Sequence, residues 1–320
     1  MKLQPLEFEK PIIELEEKLA DLKRHSRAND INFDHEVLRM EGKIEETKRA
    51  IYENLTAWQR VQIARHNARP FALDYLQLSF SNFIELHGDR LFAEDRAMPG
   101  GLATVAGRKC VVIGHQKGRE LKENLKRNFG CANPEGYRKA LRLMRLAEKF
   151  GLPFVSLIDT PGAYPGLGSE ERHISEAIAV NLREMMVLRA PTVAVVIGEG
   201  GSGGALGIAV ADRVLMLENA YYSVISPEGC AAILWKHRKH APEAAAALKL
   251  TARDLLEMGL IDGIIPEPMG GAHQNHAAAI ANLKAAVSGA LQELTQLPHE
   301  ELLARRYGKF RKFGEFAGDA

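Results

Sequence analysis

The stretch PTVAVVIGEGGSGGALGIAVA, residues Pro191–Ala211, decides the fold of this chain. It begins as an apolar, β-branched run up to Ile197, which predicts a buried strand. Five glycines follow within the seven residues from Gly198 to Gly204, and the sequence from Ala205 onward favours a helix. The pattern predicts a strand, a tight glycine turn and a helix N-terminus, where unpaired N–H groups and a partial positive charge can hold an anion.

The kind of anion depends on the residues around these glycines. A phosphate loop requires a Lys after its last glycine, and no Lys follows Gly203 or Gly204. The run Gly198–Gly203 matches the G-x-G-x-x-G of dinucleotide-binding turns, but glycine-dense runs match it easily, and this one lies deep in the chain. Two interpretations stay open: a backbone oxyanion hole that a substrate approaches closely, and close helix–strand packing without a ligand.

The same glycines also contain the G-x-S-x-G pattern of serine esterases, in Gly200–Gly204. Ser202 would then be the nucleophile, and it would need an acidic residue and a histidine later in the chain. The hydrolase hypothesis stays open at this point because four histidines follow the pattern. They are His237, His240, His273 and His276.

Composition narrows the class of protein. The chain has 320 residues, enough for a sizeable core, and 42 Lys and Arg against 41 Asp and Glu give a net charge of +1. No overall field therefore indicates nucleic acid or a membrane as partner. The three widely spaced cysteines fit neither a disulfide framework nor a zinc knuckle, so we expect a reducing compartment and no metal. Because neither a secretory signal nor a run of ~20 apolar residues is apparent, we expect a cytoplasmic location.

The N-terminal region, residues 1–75, differs from the rest in being charged and almost free of glycine. Two apolar stripes at helical spacing, separated by Asn29–Phe33, predict a helical hairpin with polar outer faces. We expect this region to dock another subunit; a cap on the chain's own core is the competing interpretation. The stripes consist of Ile12, Leu15, Leu19 and Leu22, and of Val37, Met40, Ile44, Thr47, Ile51 and Leu55.

A second loop rich in glycine and proline, Asp159–Gly166, follows the apolar strand Phe154–Ile158 and precedes a predicted helix, Glu170–Leu188. In layered α/β folds, ligands bind beyond the carboxyl ends of the strands. If the two strands are adjacent, each glycine loop can offer a backbone N–H to the same oxygen. This second loop favours the functional interpretation of the first.

A basic segment follows the predicted strand Cys110–Gly114. It could contact a phosphate or a carboxylate, although most surface charge runs are solvated helix faces. Its basic residues are Lys117, Arg119, Lys122, Lys126 and Arg127.

The remaining elements predict an α/β fold built of ββα units, because pairs of strands precede the helices and the order does not alternate as in a Rossmann fold. We expect this core in residues 76–297 and a helical tail in residues 298–320. The elements include strands at Gly100–Gly107, Arg213–Leu217, Ala220–Ile225 and Leu260–Pro266, an amphipathic helix at Glu135–Phe150, and an Ala-rich helix ending near Leu297.

Over essentially its whole length, the sequence closely resembles the carboxyltransferase alpha subunits of bacterial-type acetyl-CoA carboxylase. Long motifs carry this resemblance, which makes coincidence a poor explanation. They are GHQKGR at Gly114–Arg119, PEGYRKALRLM at Pro134–Met144, IDTPGAYPG at Ile158–Gly166, IGEGGSGGAL at Ile197–Leu206, and YSVISPEGC at Tyr222–Cys230.

The resemblance implies a crotonase-like ββα-superhelix core with the N-terminal helical hairpin and C-terminal helices around it. It implies transfer of a carboxyl group from carboxybiotin, held on a biotin carboxyl carrier protein, to acetyl-CoA, giving malonyl-CoA in the first committed step of fatty acid synthesis. The implied partner is a zinc-ribbon beta subunit in an α2β2 heterotetramer, with biotin carboxylase in the wider complex. No metal is implied in this chain.

In this chemistry, negative charge develops on the biotin ureido oxygen and on the thioester oxygen, and both need preorganised donors. The resemblance implies that the freed biotin nitrogen takes the methyl proton, so no protein base is required. We expect the N–H groups of Gly203 and Gly204 to form the primary oxyanion hole, with Gly162 and Gly166 as weaker candidates. The residues expected to bind substrate are Gly200, Gly201, Ala205, Tyr164, Lys117 and Arg119.

Three other hypotheses compete with this one. A crotonase-type acyl-CoA hydratase or isomerase would use a glutamate pair, for which Glu199 and Glu228 are available. A serine hydrolase would use Ser202. A non-enzymatic scaffold would rely on the N-terminal hairpin alone.

Overall fold

The fold centres on a single eight-stranded sheet. The computed structural model describes residues 5–29 and 33–314. In the part described, the strands are β1 (Phe80–Glu85), β2 (Gly100–Val105), β3 (Arg108–Gly114), β4 (Phe154–Thr160), β5 (Thr192–Gly201), β6 (Arg213–Leu217), β7 (Tyr221–Ser223) and β8 (Gly263–Ile265).

The sheet runs in the order β1-β2-β3-β4-β5-β6-β8. The first three strands pair antiparallel, and the strands from β3 to β8 pair parallel along this path. The seventh strand pairs parallel with the far end of β5, where Gly200 lies opposite Tyr222. Both β4 and β5 are buried along their whole length, which explains why their sequences are mostly apolar and do not alternate between apolar and polar residues.

Helices cover the sheet and extend from it. Their bounds are α1 (Lys10–Asn29), α2 (Asp34–Tyr52), α3 (Ala57–Ala64), α4 (Ala72–Leu78), α5 (Leu121–Lys126), α6 (Pro134–Lys149), α7 (Leu167–Glu171), α8 (Ile174–Val187), α9 (Ser202–Leu206), α10 (Pro227–Leu234), α11 (Ala241–Ala247), α12 (Ala252–Glu257), α13 (His276–Leu294) and α14 (His299–Arg311). None of the helices described combines the length and apolar character needed to cross a membrane.

The predicted helical hairpin is present as α1 and α2. Two ion pairs join these helices, between Lys23 and Glu41 at 2.7 Å and between Lys48 and Glu16 at 2.9 Å. Because the partners run in opposite order along the chain, the helices are antiparallel. The predicted break at Asn29–Phe33 lies partly outside the described residues, at 30–32. The docking role of the hairpin stays a prediction.

The C-terminal helix α14 is bound to the core through a buried arginine. Arg306 is 1% exposed, and its guanidinium contacts both carboxylate oxygens of Asp212 at 2.7 Å. It also donates to three main-chain carbonyl oxygens. The proposed borders of regions 1–75, 76–297 and 298–320 stay predictions, and residues 1–4 and 315–320 lie outside the described part.

Three predicted elements differ from the structure. The glycine turn expected from Gly198 begins later, because β5 continues to Gly201 by pairing with β7. The predicted helix Glu170–Leu188 is two helices, α7 and α8, since His173 adopts a left-handed φ of 63° between them. The strand expected at Ala220–Ile225 is shorter, Tyr221–Ser223.

Candidate active site

The two glycine loops lie against each other, as their sequences predict. The strands that precede them, β4 and β5, are parallel neighbours, so both loops leave the same edge of the sheet. An added Cβ on Gly204 would lie 2.3 Å from the Ala163 nitrogen, and one on Gly201 would lie 2.2 Å from the Pro161 oxygen. The backbones of the loops are therefore in direct contact.

Close packing explains four of the five glycines. Besides Gly201 and Gly204, Gly198 leaves room for the Asp159 carboxylate, which would lie 2.5 Å from an added Cβ. Gly200 lies similarly close to the main chain of Tyr221, at 2.9 Å. The packing interpretation of the glycine run is thus correct at these four positions.

Gly203 is the exception. Among the described residues, apart from its chain neighbours and the backbone of its own helix, the only atom within 4 Å of an added Cβ is Ile178 Cδ1, at 3.9 Å, which is ordinary contact. The φ of Gly203 does not lie in the left-handed region that favours glycine. Neither packing nor backbone conformation therefore requires glycine here, whereas close approach of a ligand would.

Gly203 and Gly204 lie in the first turn of α9, which begins at Ser202. N–H groups in the first turn of a helix have no partner within the helix and carry partial positive charge. The chain enters α9 sharply, because Ser202 has a φ of 52° that is uncommon for a residue with a side chain. The chain therefore turns between the end of β5 and the start of α9, beside the Gly162–Ala163 loop.

A buried ion network lies beneath the two loops. Lys117 Nζ contacts Asp159 Oδ1 at 2.6 Å and Glu199 Oε2 at 2.7 Å. The Glu199 N–H also donates to Asp159 Oδ1, at 2.9 Å. One lysine therefore joins the end of β4 to the end of β5.

The charges in this network determine its protonation. Burial would raise the pKa of Glu199, but Lys117 and Arg65 outweigh burial and lower this pKa to about 2. Burial would likewise lower the pKa of Lys117, whereas the carboxylates of Asp159 and Glu199 raise it. Glu199 is therefore an ionised structural partner at neutral pH.

The geometry does not favour a hydratase or isomerase. Arg65 holds both glutamates of the pair, contacting Glu199 Oε1 at 2.7 Å and Glu228 Oε1 at 2.5 Å. Tyr221 donates its hydroxyl to the same Glu199 oxygen at 2.7 Å. A general acid needs a pKa near the working pH, and the pKa of Glu199 lies far below it.

The serine hydrolase interpretation is not favoured either. Ser202 is exposed, but none of the four candidate histidines donates to it or accepts from it in the described part of the chain. They contact other groups instead. His273 stacks on His66, His276 contacts the Ala68 oxygen, His237 accepts from Lys239, and His240 lies beside Trp235.

The structure distributes the other predicted site residues differently. Gly162 donates its N–H to Thr160 Oγ1 at 3.1 Å, which engages the donor expected for an oxyanion. Gly166 lies under the Tyr164 ring, which would be 2.4 Å from an added Cβ. Tyr164 itself is exposed, while Gly200, Gly201 and Ala205 are buried. Their substrate contacts stay predictions.

The basic segment is not one surface. Lys117 belongs to the buried network, whereas Arg119 pairs with Asp74 at 2.7 Å and lies over the Phe71 ring at 4.8 Å. Lys122 and Lys126 are exposed on α5, in agreement with a solvated helix face. Substrate binding by Lys117 and Arg119 stays a prediction.

The sequence does not predict two residues that contact the first glycine loop, Arg65 and Tyr137. Arg65 lies in the N-terminal region, residues 1–75, for which the sequence predicts a docking role. No local pattern connects it with Glu199, which lies 134 residues further along the chain. Tyr137 was counted only within an amphipathic helix, yet its hydroxyl donates to the Gly204 oxygen at 3.0 Å. The sequence offers one signal for Tyr137: its hydroxyl is a polar group on the apolar face of α6 and therefore needs a hydrogen-bond partner.

One group of side chains in the described residues lies close enough to share a metal ion, and it lies outside the two loops. It consists of Glu85, His87 and Glu94. Glu94 already pairs with the buried Lys139 ammonium at 2.5 Å, so the local charge is partly matched without an ion.

This chain is similar to members of one protein family. A family model for acetyl co-enzyme A carboxylase carboxyltransferase-like proteins matches residues 5–314. The acetyl-coenzyme A carboxylase carboxyl transferase subunit alpha of a Thermus thermophilus strain is 57% identical over 313 residues, covering 98% of this chain and 99% of the relative. The protein of the same name from Geobacter metallireducens is 55% identical over 312 residues, covering 98% of each.

Solved structures agree on the fold. Transcarboxylase 12S with bound methylmalonyl-coenzyme A superposes with a TM-score of 0.57 at 19% identity, covering 70% of this chain and 41% of that one. This chain thus spans less than half the length of that neighbour. A Pseudomonas malonate decarboxylase hetero-tetramer with coenzyme A gives 0.55 at 15% identity, covering 66% of this chain and 84% of the other. The predicted crotonase-like α/β fold is confirmed.

Proposed function

Because the chain belongs to the family of acetyl-CoA carboxylase carboxyltransferase alpha subunits, we propose that the first turn of α9 is its oxyanion hole. The chain is a subunit of a carboxyltransferase that carboxylates acetyl-CoA to malonyl-CoA, a step of fatty acid synthesis. In the proposal, the N–H groups of Gly203 and Gly204 stabilise the negative charge that develops as the carboxyl group is transferred.

One observation carries this proposal: Gly203 has room for a side chain and a φ that tolerates one, yet it is glycine. In the proposal, a ligand approaches the main chain through the open space above Gly203. Biotin, as carboxybiotin on its carrier protein, is the substrate that supplies the carboxyl group. Its ureido oxygen is the acceptor that we assign to these two N–H groups.

The chain's own residues provide position rather than acid–base chemistry. Glu199 is held ionised by Lys117 and Arg65, and Ser202 has no histidine partner among the described residues. The facing loop, with Gly162 and Gly166, contributes the wall of the site and at most a weaker donor. Preorganised donors of this kind contribute without any proton transfer by the protein.

The alpha-subunit family implies a partner subunit, and we propose that this partner is a zinc-ribbon beta subunit in an α2β2 heterotetramer. It would supply the oxyanion hole for the acetyl-CoA thioester and most of the coenzyme A pocket. Biotin carboxylase and the carrier protein would join the wider complex. The free cysteines Cys110, Cys131 and Cys230 support a reducing, cytoplasmic location.

The proposal is tested by closing the space above Gly203. Gly203→Val should still assemble with the beta subunit, and it should lower malonyl-CoA-dependent carboxylation of free biotin by about 100-fold or more, the usual effect of losing an oxyanion donor. Gly289→Val is the matched control, because nothing lies within 4 Å of its added Cβ in α13. Full activity of an assembled Gly203→Val complex would contradict the assignment.

A further inference from the structure

Tyr137 of α6 contacts α9, the short helix that contains Gly203 and Gly204. The Tyr137 hydroxyl donates to the Gly204 oxygen at 3.0 Å, and Tyr137 is fully buried. Its ring also packs on Gly207, where an added Cβ would lie 2.8 Å from a ring carbon. A single side chain thus contacts α9 both at its hole-forming glycines and just beyond its end.

The same part of α6 contacts the other loop of the site. Ala132, two residues before α6 begins, accepts the Tyr164 N–H at 2.9 Å. Asn133, the next residue, accepts a hydrogen bond from Ser169 at 3.1 Å. The beginning of α6 is therefore a common support for both glycine loops.

Asn181 of α8 completes this support. Its Nδ2 donates to two main-chain carbonyl oxygens, that of Tyr137 at 3.1 Å and that of Gly207 at 3.0 Å. Asn181 is fully buried, so these bonds are not exchanged with solvent. The amide fixes α6 and the residue that follows α9 relative to each other.

We propose that Tyr137 is a positioning residue for carboxyl transfer: its hydroxyl binds the carbonyl oxygen of the peptide that follows Gly204, and so fixes α9 and the direction of the Gly203 and Gly204 N–H groups. This inference rests on the proposed oxyanion hole in α9. A helix of five residues has little stability of its own, so its orientation depends on what it contacts.

The physical reason is the small tolerance of an oxyanion hole. Its donors must lie at hydrogen-bond distance from the position that the developing charge occupies, and small misplacements cost rate steeply. Burial raises the pKa of the Tyr137 phenol well above its usual value. The hydroxyl therefore stays protonated, and able to donate, around neutral pH.

The test removes one hydroxyl and leaves the ring in place. Tyr137→Phe is compared with Tyr75→Phe, since Tyr75 is also fully buried but its hydroxyl has no partner within the described residues. Each chain is assayed as a complex with its beta subunit. We expect Tyr137→Phe to lower the kcat of malonyl-CoA-dependent carboxylation of free biotin about 10-fold. The KM for malonyl-CoA should stay within about twofold of wild type. Tyr75→Phe should leave both constants unchanged.

Hydrogen exchange of the full chain gives an independent readout. Tyr137→Phe should speed amide exchange in residues 202–206, and Tyr75→Phe should not. A Tyr137→Phe complex with wild-type kcat overturns the proposal, as does loss of kcat with unchanged exchange in α9. A variant that fails to assemble, or one that raises KM with kcat unchanged, also overturns it, because a lost positioning role lowers kcat.

The outcome is separable from that of the oxyanion assignment. An inactive Gly203→Val with a fully active Tyr137→Phe removes only the positioning role. A fully active Gly203→Val removes the proposed hole itself, whatever Tyr137→Phe does.

Discussion

Lys117 and Glu199, 82 residues apart in the chain, form a buried ion pair with Nζ 2.7 Å from Oε2. The same ammonium contacts Asp159, so it links the carboxyl ends of two neighbouring strands, each of which leads into one glycine loop. This buried ion network therefore fixes the position of one glycine loop relative to the other. The one ammonium contacts both carboxylates, and Arg65 gives Glu199 a second cation, beneath the surface that would receive a substrate.

Removing the lysine should destabilise the protein strongly. Lys117→Met leaves Asp159 and Glu199 as buried carboxylates without their shared cation, which typically costs about 3–5 kcal/mol. The free energy of unfolding in urea measures this loss. Lys122→Met, at an exposed position of α5, is the control and should change stability by less than about 0.5 kcal/mol. Equal stabilities of the two variants would contradict a structural role.

Glu199 should make stability depend on pH in the acid range. Its pKa falls from the ordinary 4.5 to about 2 on folding, which corresponds to about 3 kcal/mol of stability at neutral pH. A lowered folded-state pKa gives a contribution that is complete above pH 4.5 and lost as the pH falls towards 2. The gap in unfolding free energy between wild type and Glu199→Gln should therefore narrow across that window.

Urea unfolding at a series of pH values measures the gap. Glu45→Gln, on an exposed face of α2, serves as the comparison. A gap for Glu199→Gln that stays constant from pH 6 to pH 2.5 would show that this carboxylate does not carry the effect.

The two central glycines should respond differently to alanine. Gly204→Ala places a Cβ 2.3 Å from the Ala163 nitrogen and forces the facing loop to move, a form of overpacking that costs about 1–3 kcal/mol. Gly203→Ala adds a methyl group in open space within a helix, so its stability should equal or exceed that of wild type by up to about 1 kcal/mol. Thermal unfolding of both variants measures the contrast, and an equal fall in Tm would refute it.

Ser202 should be dispensable for chemistry. Ser202→Ala removes the only atom that could act as an esterase nucleophile at this turn, and the proposed mechanism does not use it. The assembled complex should keep carboxyl transfer within about threefold of wild type, since the serine takes no part in the proposed charge stabilisation. Covalent labelling by a fluorophosphonate, lost in Ser202→Ala, would instead support a hydrolase.

The arginine that attaches α14 should be intolerant of substitution. Arg306→Met leaves Asp212 buried without its partner and leaves the carbonyl oxygens of Met185, Leu188 and Ala190 without their donor. We expect a loss of about 3–5 kcal/mol in unfolding free energy. Arg306→Lys should be intermediate, because an ammonium cannot reproduce the two parallel bonds to the carboxylate. Wild-type stability of Arg306→Met would show that the other contacts of α14, among them the Lys309–Asp262 ion pair, are sufficient to hold it.

Local sequence predicted much of this protein. A continuous apolar run before Gly198 predicted β5, and the period of the helix after Pro134 predicted α6 to within one residue at each end. The end of β5 was placed too early, because glycines are typical of turns, and only pairing with β7 extends the strand to Gly201. That pairing involves residues more than twenty positions away, which no local pattern encodes.

The glycine stretch Gly198–Gly204 shows what the sequence determined and what the tertiary structure determined. By itself the sequence determined that a strand ends in a glycine-rich turn before a helix, because apolar periodicity and glycine content act over a few residues. Only the tertiary structure decided that four of the five glycines serve packing and that Gly203 faces open space. It also decided that Lys117 and Glu199 pair with each other, since the energy of a buried charge depends on which distant residues surround it.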